Sequence, residues 1–454
     1  MKPRVETNQA KLPPFWDRNV VFFCNLESVF FENEEAAGLL TRQISGAHSY
    51  GGRVVSILNL LFQRGPNKIL LEAPPEPHLL DYLSGDLQLS LPSYELLDRR
   101  GYQDLGSKPE ATHIDGIDPL IEDLRNHPAS WVDGYVTDSI LVETAAKLKK
   151  QTISTLEGSK KGNNKYLLHL HQVEKNLPTF QTFIATNPEE IRPCLSKLRR
   201  LGYRKAVIKA QIGASGYGMI KLPTQEFQSE SVPNYLFFEG PCMVQGWLDQ
   251  ETHGVERIGS PSIQMFLNEN TVFLFDWTEQ ILSDESVHEG NTSPPDYISN
   301  HPELENELFR QAAIAGEWLH AQGYRGTAST DFLVIARRKK TEVIICEINA
   351  RVTGATYPAV LARHFKPAGC WSMRNIQFRK SLDGSQLLSV MDRAAVLYRP
   401  DQDKGIIPFN FNVDLDGKVT KGQFLCLAET LEQCGNLLIQ AWAELPVEWG
   451  YDRD

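Results

Sequence analysis

Five residues, Glu347-Ile348-Asn349-Ala350-Arg351, close the apolar run Val343-Ile344-Ile345-Cys346 and constrain this chain more than any other segment. Successive side chains of a strand point to opposite faces, so Glu347, Asn349 and Arg351 share one face. A carboxylate, an amide oxygen and a guanidinium together suit a divalent cation and the phosphate oxygens it bridges. A second run, Ser329 to Ala336, carries Asp331 and leads into the first through the basic turn Arg337 to Thr341, which predicts a hairpin. The turn centres on residue 339, so in an unbulged hairpin Asp331 and Glu347 face each other. Like charges directly opposite cost roughly 0.2–1 kcal/mol unless compensated. A Mg2+ ion between them supplies the compensation; two ordinary strand-end carboxylates are the plainer alternative.

Composition narrows the function classes. The 454 residues exceed one core and predict about three units. A formal charge of -11 argues against nucleic acid as the main partner, since phosphate-backbone binding needs a basic surface. Seven cysteines stand singly with no CxxC pair, the pattern of free thiols in a reducing compartment. The apolar run Val20 to Cys24 is too short for a signal core or a membrane span, so a soluble, cytoplasmic protein is expected.

Residues 1 to about 157 alternate strand and helix patterns, with strands at Val20 to Cys24, Lys68 to Glu72 and Gly134 to Val136 and helices at Arg53 to Phe62 and Ile140 to Lys150. This predicts a mostly parallel α/β sheet. The cluster Gly46 to Gly52 superficially suggests a phosphate loop, but Gly52 stands where such a loop needs lysine, so a turn or substrate loop is expected. The polar stretch 157–164 reads as a linker. A helix follows from Lys165 to Lys175, then strands at Thr179 to Ile184, Lys205 to Ala210, Met219 to Leu222, Cys242 to Trp247, Ser262 to Leu267 and Thr271 to Gln280. A long polar loop, Ser283 to Asn300, and a helix, Glu303 to Gln322, precede the hairpin. Beyond Lys366 a helix-like stretch, short strands at Ala394 to Tyr398 and Ile406 to Val413, and a final helix from Leu427 to Ala443 are expected.

Lys209 lies inside the apolar strand pattern Ala206 to Ala210, where lysine is almost never buried without a partner. A triphosphate supplies one, and the loop Gly213-Ala214-Ser215-Gly216-Tyr217-Gly218, read as an open, flexible hairpin tip, could close over the same phosphates with its N–H groups. A lysine on the solvated face of an edge strand is the plainer alternative. His169 and His171, two apart on a helix, face different directions and do not share a metal.

Taken in order, these motifs resemble the ATP-grasp superfamily of carboxylate–amine ligases over roughly residues 160 to 365. Lys165, thirteen residues before Pro178, resembles the first nucleotide-contacting lysine of biotin-carboxylase-like members, and Lys209 the second. Gly213, Ser215, Gly216 and Gly218 resemble the glycine loop, and Met243 to Leu248 the hinge beside adenine, with Gln245 and Leu248 reading the base through main chain. Gln245 stands where many members have glutamate. Asp331, Glu347 and Asn349 match the metal ligands and Arg351 the phosphate or intermediate-binding arginine. The Gly326 to Phe332 stretch and Val287-His288-Glu289-Gly290-Asn291 are similar to peptide ligases of pheganomycin type.

The resemblance implies an N-terminal pre-ATP-grasp α/β domain (1–157), a first ATP-grasp lobe carrying the glycine loop (158–249), a second lobe carrying the metal site (250–372) and a C-terminal α+β region completing the fold (373–454). It implies ATP and Mg2+, with Mn2+ as a substitute, and small-molecule carboxylate and amine substrates, an amino acid or peptide among them, joined through an acyl phosphate. Lys165 and Lys209 would hold phosphates and Arg351 the transferring phosphoryl group. His288 and its loop are candidates for substrate contact or a lid. No membrane or nucleic-acid partner is expected, and a homo-oligomer is left open. A small-molecule kinase on the same nucleotide site and a non-catalytic nucleotide-binding regulator are the alternatives; biotin-dependent carboxylation fits less well, since the chain carries no biotinyl-carrier segment.

Overall fold

A computed structural model describes residues 2–8, 11–43, 49–106, 117–214, 216–225, 232–249, 254–282, 288–337 and 340–446. Their strands form three sheets. The first is parallel, in the order Ser93–Leu96, Lys68–Leu71, Val20–Phe23, Trp131–Gly134, Gln151–Thr152. Its central strand, VVFF, is buried throughout. Val21 and Phe23 enter a core with Leu105, Leu124 and Leu141, whereas Val20 and Phe22 enter the main core with Phe411 and Leu427. A strand covered on both faces reads as a continuous apolar run, which is why the alternating-element pattern was legible. The expected strand at 134–136 lies three residues earlier, and the expected helix at 53–62 is two short helices, Gly52–Val55 and Leu58–Leu61.

The second sheet is antiparallel, in the order Thr182–Ala185, Cys242–Gly246, Lys205–Ala214, Tyr217–Pro223. Ala206, Ile208 and Ala210 pack under the helix Ile191–Arg200 with Leu195 and Leu198. Lys209 alternates with them, so it lies on the other face. The third sheet has ten strands, and its long path runs Val255–Gly259, Gly326–Arg337, Pro261–Leu267, Thr271–Leu282, His288–Ser293, Cys370–Leu382, Val419–Ala428, Gly405–Val413. Lys340–Asn349 pairs with Gly326–Arg337, and Arg4–Thr7 adds in parallel beside Thr271–Leu274. The helix Pro302–Ala321 covers one face through Leu304, Leu308, Ala312 and Leu319 against Ile263, Met265 and Leu274.

Four expectations fail for physical reasons. The stretch read as a linker is a helix, Leu156–Gly162, capped by the Thr155 side chain and burying Gly158, Ser159 and Gly162; its polar residues are only the outer face. The polar segment read as a loop or lid contains a strand, His288–Ser293, inside the large sheet. Its polarity is internal: Ser293 and the guanidinium of Arg363 meet Asp276, which is fully buried. At the C-terminus a strand, Val419–Ala428, occupies the start of the expected helix, which begins at Leu431 after its Thr430 cap, and 394–398 contributes only an isolated bridge. The helix-like stretch expected beyond Lys366 is the helix Gly384–Arg393, which follows a strand, Cys370–Leu382.

The first sheet and the second touch through an apolar seam. Val29, Phe30 and Phe31, just after Val20–Phe23, pack with Ile212, Ala214 and Tyr217 of the glycine hairpin.

Candidate active site

The hairpin that opened the sequence reading sets Asp331 opposite Glu347, by a different route from the one expected. Arg337 pairs with Lys340, so regular pairing would bring Cys346 opposite Asp331. A bulge between the Phe332–Ile345 and Asp331–Glu347 pairs absorbs one residue and brings Glu347 into place. It also changes the strand's phase. Val343 and Ile345 pack towards the Pro302–Ala321 helix, as do Ile348 and Ala350 beyond the bulge, which leaves Glu347, Asn349 and Arg351 on the open face.

The acidic pair is heavily supported. The Ser262 hydroxyl donates to Asp331 Oδ1 at 2.6 Å, and Asn349 Nδ2 donates to Asp331 Oδ2 at 2.9 Å and Glu347 Oε1 at 3.4 Å. Lys165 Nζ lies 2.9 Å from Glu347 Oε2 and donates to the Gly213 carbonyl at 2.8 Å. Burial pushes Asp331 up to about 7, helped by the Glu347 charge. Desolvation acts on the partly buried Glu347 as well, but Lys165, Arg351 and Lys209 overcome that penalty and hold it low. The two carboxyls therefore differ in proton affinity, as a close like-charged pair must.

Lys165 opens its helix, where Asn164 caps the N–H groups of Tyr166 and Leu167 and donates to Gln211 Oε1 in the glycine-loop strand. Lys209 is half-buried, its ammonium 5.6 Å from the Phe180 ring, and desolvation lowers its pKa. The glycine hairpin is tighter than expected: Ala214 pairs with Tyr217, Gly216 and Gly218 take φ of +82° and +81°, and a Cβ at Gly213 would sit 2.5 Å from the Tyr217 carbonyl. Ser215 lies outside the described residues. Gln245 is buried in the second sheet and donates to Thr182 Oγ1 at 3.1 Å, while Leu248 joins Phe180, Val255, Ile335 and Ile344 in a small apolar cluster.

A cleft of about 640 Å3 opens beside the pair, walled by Gly216, Ser262, Asp331, Glu347, Asn349 and Arg351. Lys165, Lys209, Gln245 and Leu248 are not among its walls; Lys165 reaches its edge through Glu347. His288 lines the same cleft, and its Nε2 lies 2.6 Å from Asn291 Oδ1, so Nε2 carries the proton in the neutral ring. Burial lowers it to about 4, so the ring is neutral at pH 7.

Solved structures share the fold over nearly the whole chain. Biotin carboxylase of Campylobacter jejuni, solved as a β,γ-ATP complex, superposes with a TM-score of 0.59 at 12% identity, covering 95% of this chain and 92% of its own. N5-carboxyaminoimidazole ribonucleotide synthetase of Thermus thermophilus gives 0.58 at 11% identity over 95% and 100%. The chain has the ATP-grasp fold. The Aspergillus clavatus synthase, solved with ADP and 5-aminoimidazole ribonucleotide, matches the same ATP-grasp architecture at 0.53 and 13% identity, over 94% and 98%. By sequence, the chain is 27% identical over 308 residues to a [butirosin acyl-carrier protein]–L-glutamate ligase of Niallia circulans. That stretch is 66% of this chain and 64% of the relative, so the chain spans just under two thirds of the length of the curated relative it matches. No protein-family model matches it.

Around this candidate site stand residues without a clear signal in the sequence. Asn163 accepts from Arg351 Nη1 at 2.6 Å and from the Ala350 N–H at 3.2 Å, fixing the arginine. It was hidden inside the supposed linker. Ser262 was read only as the first residue of a strand. Cys346 sits at the bulge, where burial pushes its thiol up to about 12 and the Lys209 charge opposes that rise. Tyr50, Arg53, Asn375 and Lys421 close the far end of the cleft; only the loop that brings Tyr50 and Arg53 had a sequence signal, its glycines.

Proposed function

We propose that this chain is an ATP-dependent carboxylate–amine ligase that makes an amide or peptide bond through an acyl phosphate. The observation that carries this reading is the meeting of Lys165, Glu347, Asp331 and Asn349 at one point beside an open cleft, with the glycine hairpin bonded to the same lysine. The similarity to an L-glutamate ligase and to structures solved with ATP or ADP supports it. Domains at 1–157, 158–249, 250–372 and 373–454 belong to this reading.

The donor set fits Mg2+. Among the described residues no group of three or more His, Cys, Asp or Glu side chains could hold a metal. Two facing carboxylates and one amide make an incomplete shell of oxygen donors, which is what a cation finishing its coordination with substrate phosphates needs. Asp331 and Glu347 would hold it, with Asn349 presenting Oδ1 in place of the Nδ2 it now aims at both. When bound, the ion neutralises charge on the β- and γ-phosphates.

Lys165 would leave Glu347 for the nucleotide phosphates, and Lys209 would regain the full charge that burial now disfavours. The apolar cluster of Phe180, Leu248, Ile335 and Ile344 offers a dry wall for adenine. The substrate carboxylate oxygen attacks the γ-phosphorus and ADP leaves; the amine nitrogen then attacks the acyl carbon, phosphate leaves, and the ammonium proton passes to solvent. Arg351, held by Asn163, would steady charge on the transferring phosphoryl group. Such a reaction rests on positioning and electrostatics rather than on a covalent enzyme intermediate. An amino acid is the proposed class for at least one substrate.

ADP release measured over a panel of carboxylate and amine pairs, with mass spectrometry of the products, tests this. Lys209→Ala and Glu347→Ala should each lower turnover by about 100-fold or more, the scale of losing one preorganised charge at a reacting site. Retained turnover in both variants sinks the site. A phosphorylated product without an amide makes the protein a kinase.

A further inference from the structure

The cleft is also lined by two cations, Arg53 and Lys421, that have no counter-ion among the described residues. Arg53 is 6% exposed, its Nε is buried without a hydrogen-bond partner, and its guanidinium carbon stacks 3.8 Å over the Tyr50 ring. Neither makes a salt bridge with a carboxylate among the described residues, and the only carboxylates among the described lining residues are Asp331 and Glu347. Buried charges are normally paired, so two cations without a partner among the described residues suit a bound anion.

The surroundings are built to hold these groups still. Lys421 faces Gln377 on one neighbouring strand and Asn412 on the other. Beside it runs a chain of amides, buried at Asn410 and Gln423: Asn410 donates to Gln423 Oε1 at 2.8 Å, Gln423 donates to Asn375 Oδ1 at 3.2 Å, and Asn375 donates to the His288 carbonyl at 3.4 Å. Arg53 is pinned from the other side, because the absent side chain of Gly52 lets its helix press against Asn410; a Cβ there would lie 2.2 Å from Asn410 Oδ1. Burial lowers the pKa of Lys421, and the Arg53 charge lowers it further, so the two cations feel each other through the cleft. Like charges held within reach on rigid supports strain the empty site, and a bound oxyanion relieves it.

We infer that Arg53 and Lys421 form a recognition site for an oxyanionic group of the substrate, separate from the carboxylate that reacts at the metal end, so the preferred substrate is doubly anionic. This rests on the ligase reading for what happens at the other end of the cleft. A second carboxylate and a phosphate share the required chemistry. Amino dicarboxylic acids are the first class to try, since planar guanidinium forks match carboxylates in two places.

Isothermal titration of the full chain, with a non-hydrolysable ATP analogue and Mg2+ present, tests this with L-glutamate, L-glutamine and O-phospho-L-serine as probes. Wild type should bind L-glutamate or phosphoserine at least 10-fold more tightly than L-glutamine, and the tighter of the two names the anion. Lys421→Gln should erase that preference and leave the affinity for the ATP analogue unchanged. Arg53→Gln should do the same, with Arg53→Lys restoring part of it; a thermal melt checks that each variant is folded, and Lys421→Gln stands alone if Arg53 variants are not. Nucleotide binding without binding of either dianionic probe, or a preference that survives Lys421→Gln, overturns the inference and leaves the ATP site standing. Failure to bind the ATP analogue overturns the reading beneath it.

Discussion

Asn163 shows how much one uncharged side chain decides here. Its carbonyl oxygen serves both the Ala350 N–H and the Arg351 guanidinium, and its amide donates to the Ser159 carbonyl at 2.8 Å. Without it, Arg351 keeps its charge but loses its aim. Asn163→Ala should lower kcat/KM for ADP release by about 10- to 100-fold, while the unpaired groups left behind cost about 1–3 kcal/mol of stability by denaturant titration. Asn163→Asp keeps the acceptor and should recover most of the rate. If Asn163→Ala leaves kcat/KM intact, Arg351 needs no such clamp. The lysines and acids of this site were legible because charged residues in apolar strand patterns demand an explanation. Asn163 was not, because an asparagine between glycine and another asparagine reads as loop, and only the chain's return at Ala350 shows what it holds.

Among the elements, the acidic hairpin is the most informative. Its acidic pair was expected from symmetry about residue 339, yet the pairing closes at Arg337 and Lys340 and a bulge supplies the missing step. The shared face of Glu347, Asn349 and Arg351 was right for a strand of period two; a bulge has no reliable sequence signature, so its location at Cys346 was not readable. Because a one-residue shift turns every side chain over, an alanine inserted between Glu347 and Ile348 should swing Asn349 and Arg351 towards the Pro302–Ala321 helix and bring Ile348 to the cleft. ADP release should vanish and the thermal midpoint fall by several degrees; an active insertion variant would show that the register is not what builds the site. The same parity hid His288–Ser293. Its inward residues are polar, so hydrophobic pattern could not mark it as a strand, whereas the apolar Val20–Phe23 announced itself.

Across the whole molecule, buried acids set the response to pH. Glu72, Asp133, Glu239 and Glu279 are each raised to about 7, burial being the leading cause in every case. A carboxyl raised in the folded state favours folding below its unfolded pKa, near 4.5 or below, and that contribution is lost as pH rises through 7. His288, lowered to about 4, acts in the opposite sense, losing stability as pH falls from 6.5 towards 4. Burial likewise lowers His127, His169, His171, His320 and His364, so below pH 6.5 the two sets oppose each other, whereas above it the raised acids, Asp331 among them, act alone. The thermal midpoint should therefore decline from about pH 6.5 to pH 8, as unfolding followed by circular dichroism would show; a midpoint rising over that range would mean these acids are ionised in the fold. Glu279→Gln should flatten part of the slope, since the Ser260 N–H that now serves Oε1 can donate to the amide oxygen and the Tyr297 hydroxyl at Oε2 can accept from the amide nitrogen.

The apolar seam between Phe30, Phe31 and the glycine hairpin gives this architecture a mechanical character. A flap tethered only to its own sheet can open at the cost of its own hydrogen bonds. This one is glued by Ile212 and Tyr217 to residues that sit nearly two hundred positions earlier in the chain. Any swing of the hairpin that admits nucleotide must therefore peel aromatic surface into water or carry the first sheet along with it. Opening of the glycine hairpin is in that sense latched by a part of the protein outside its own sheet.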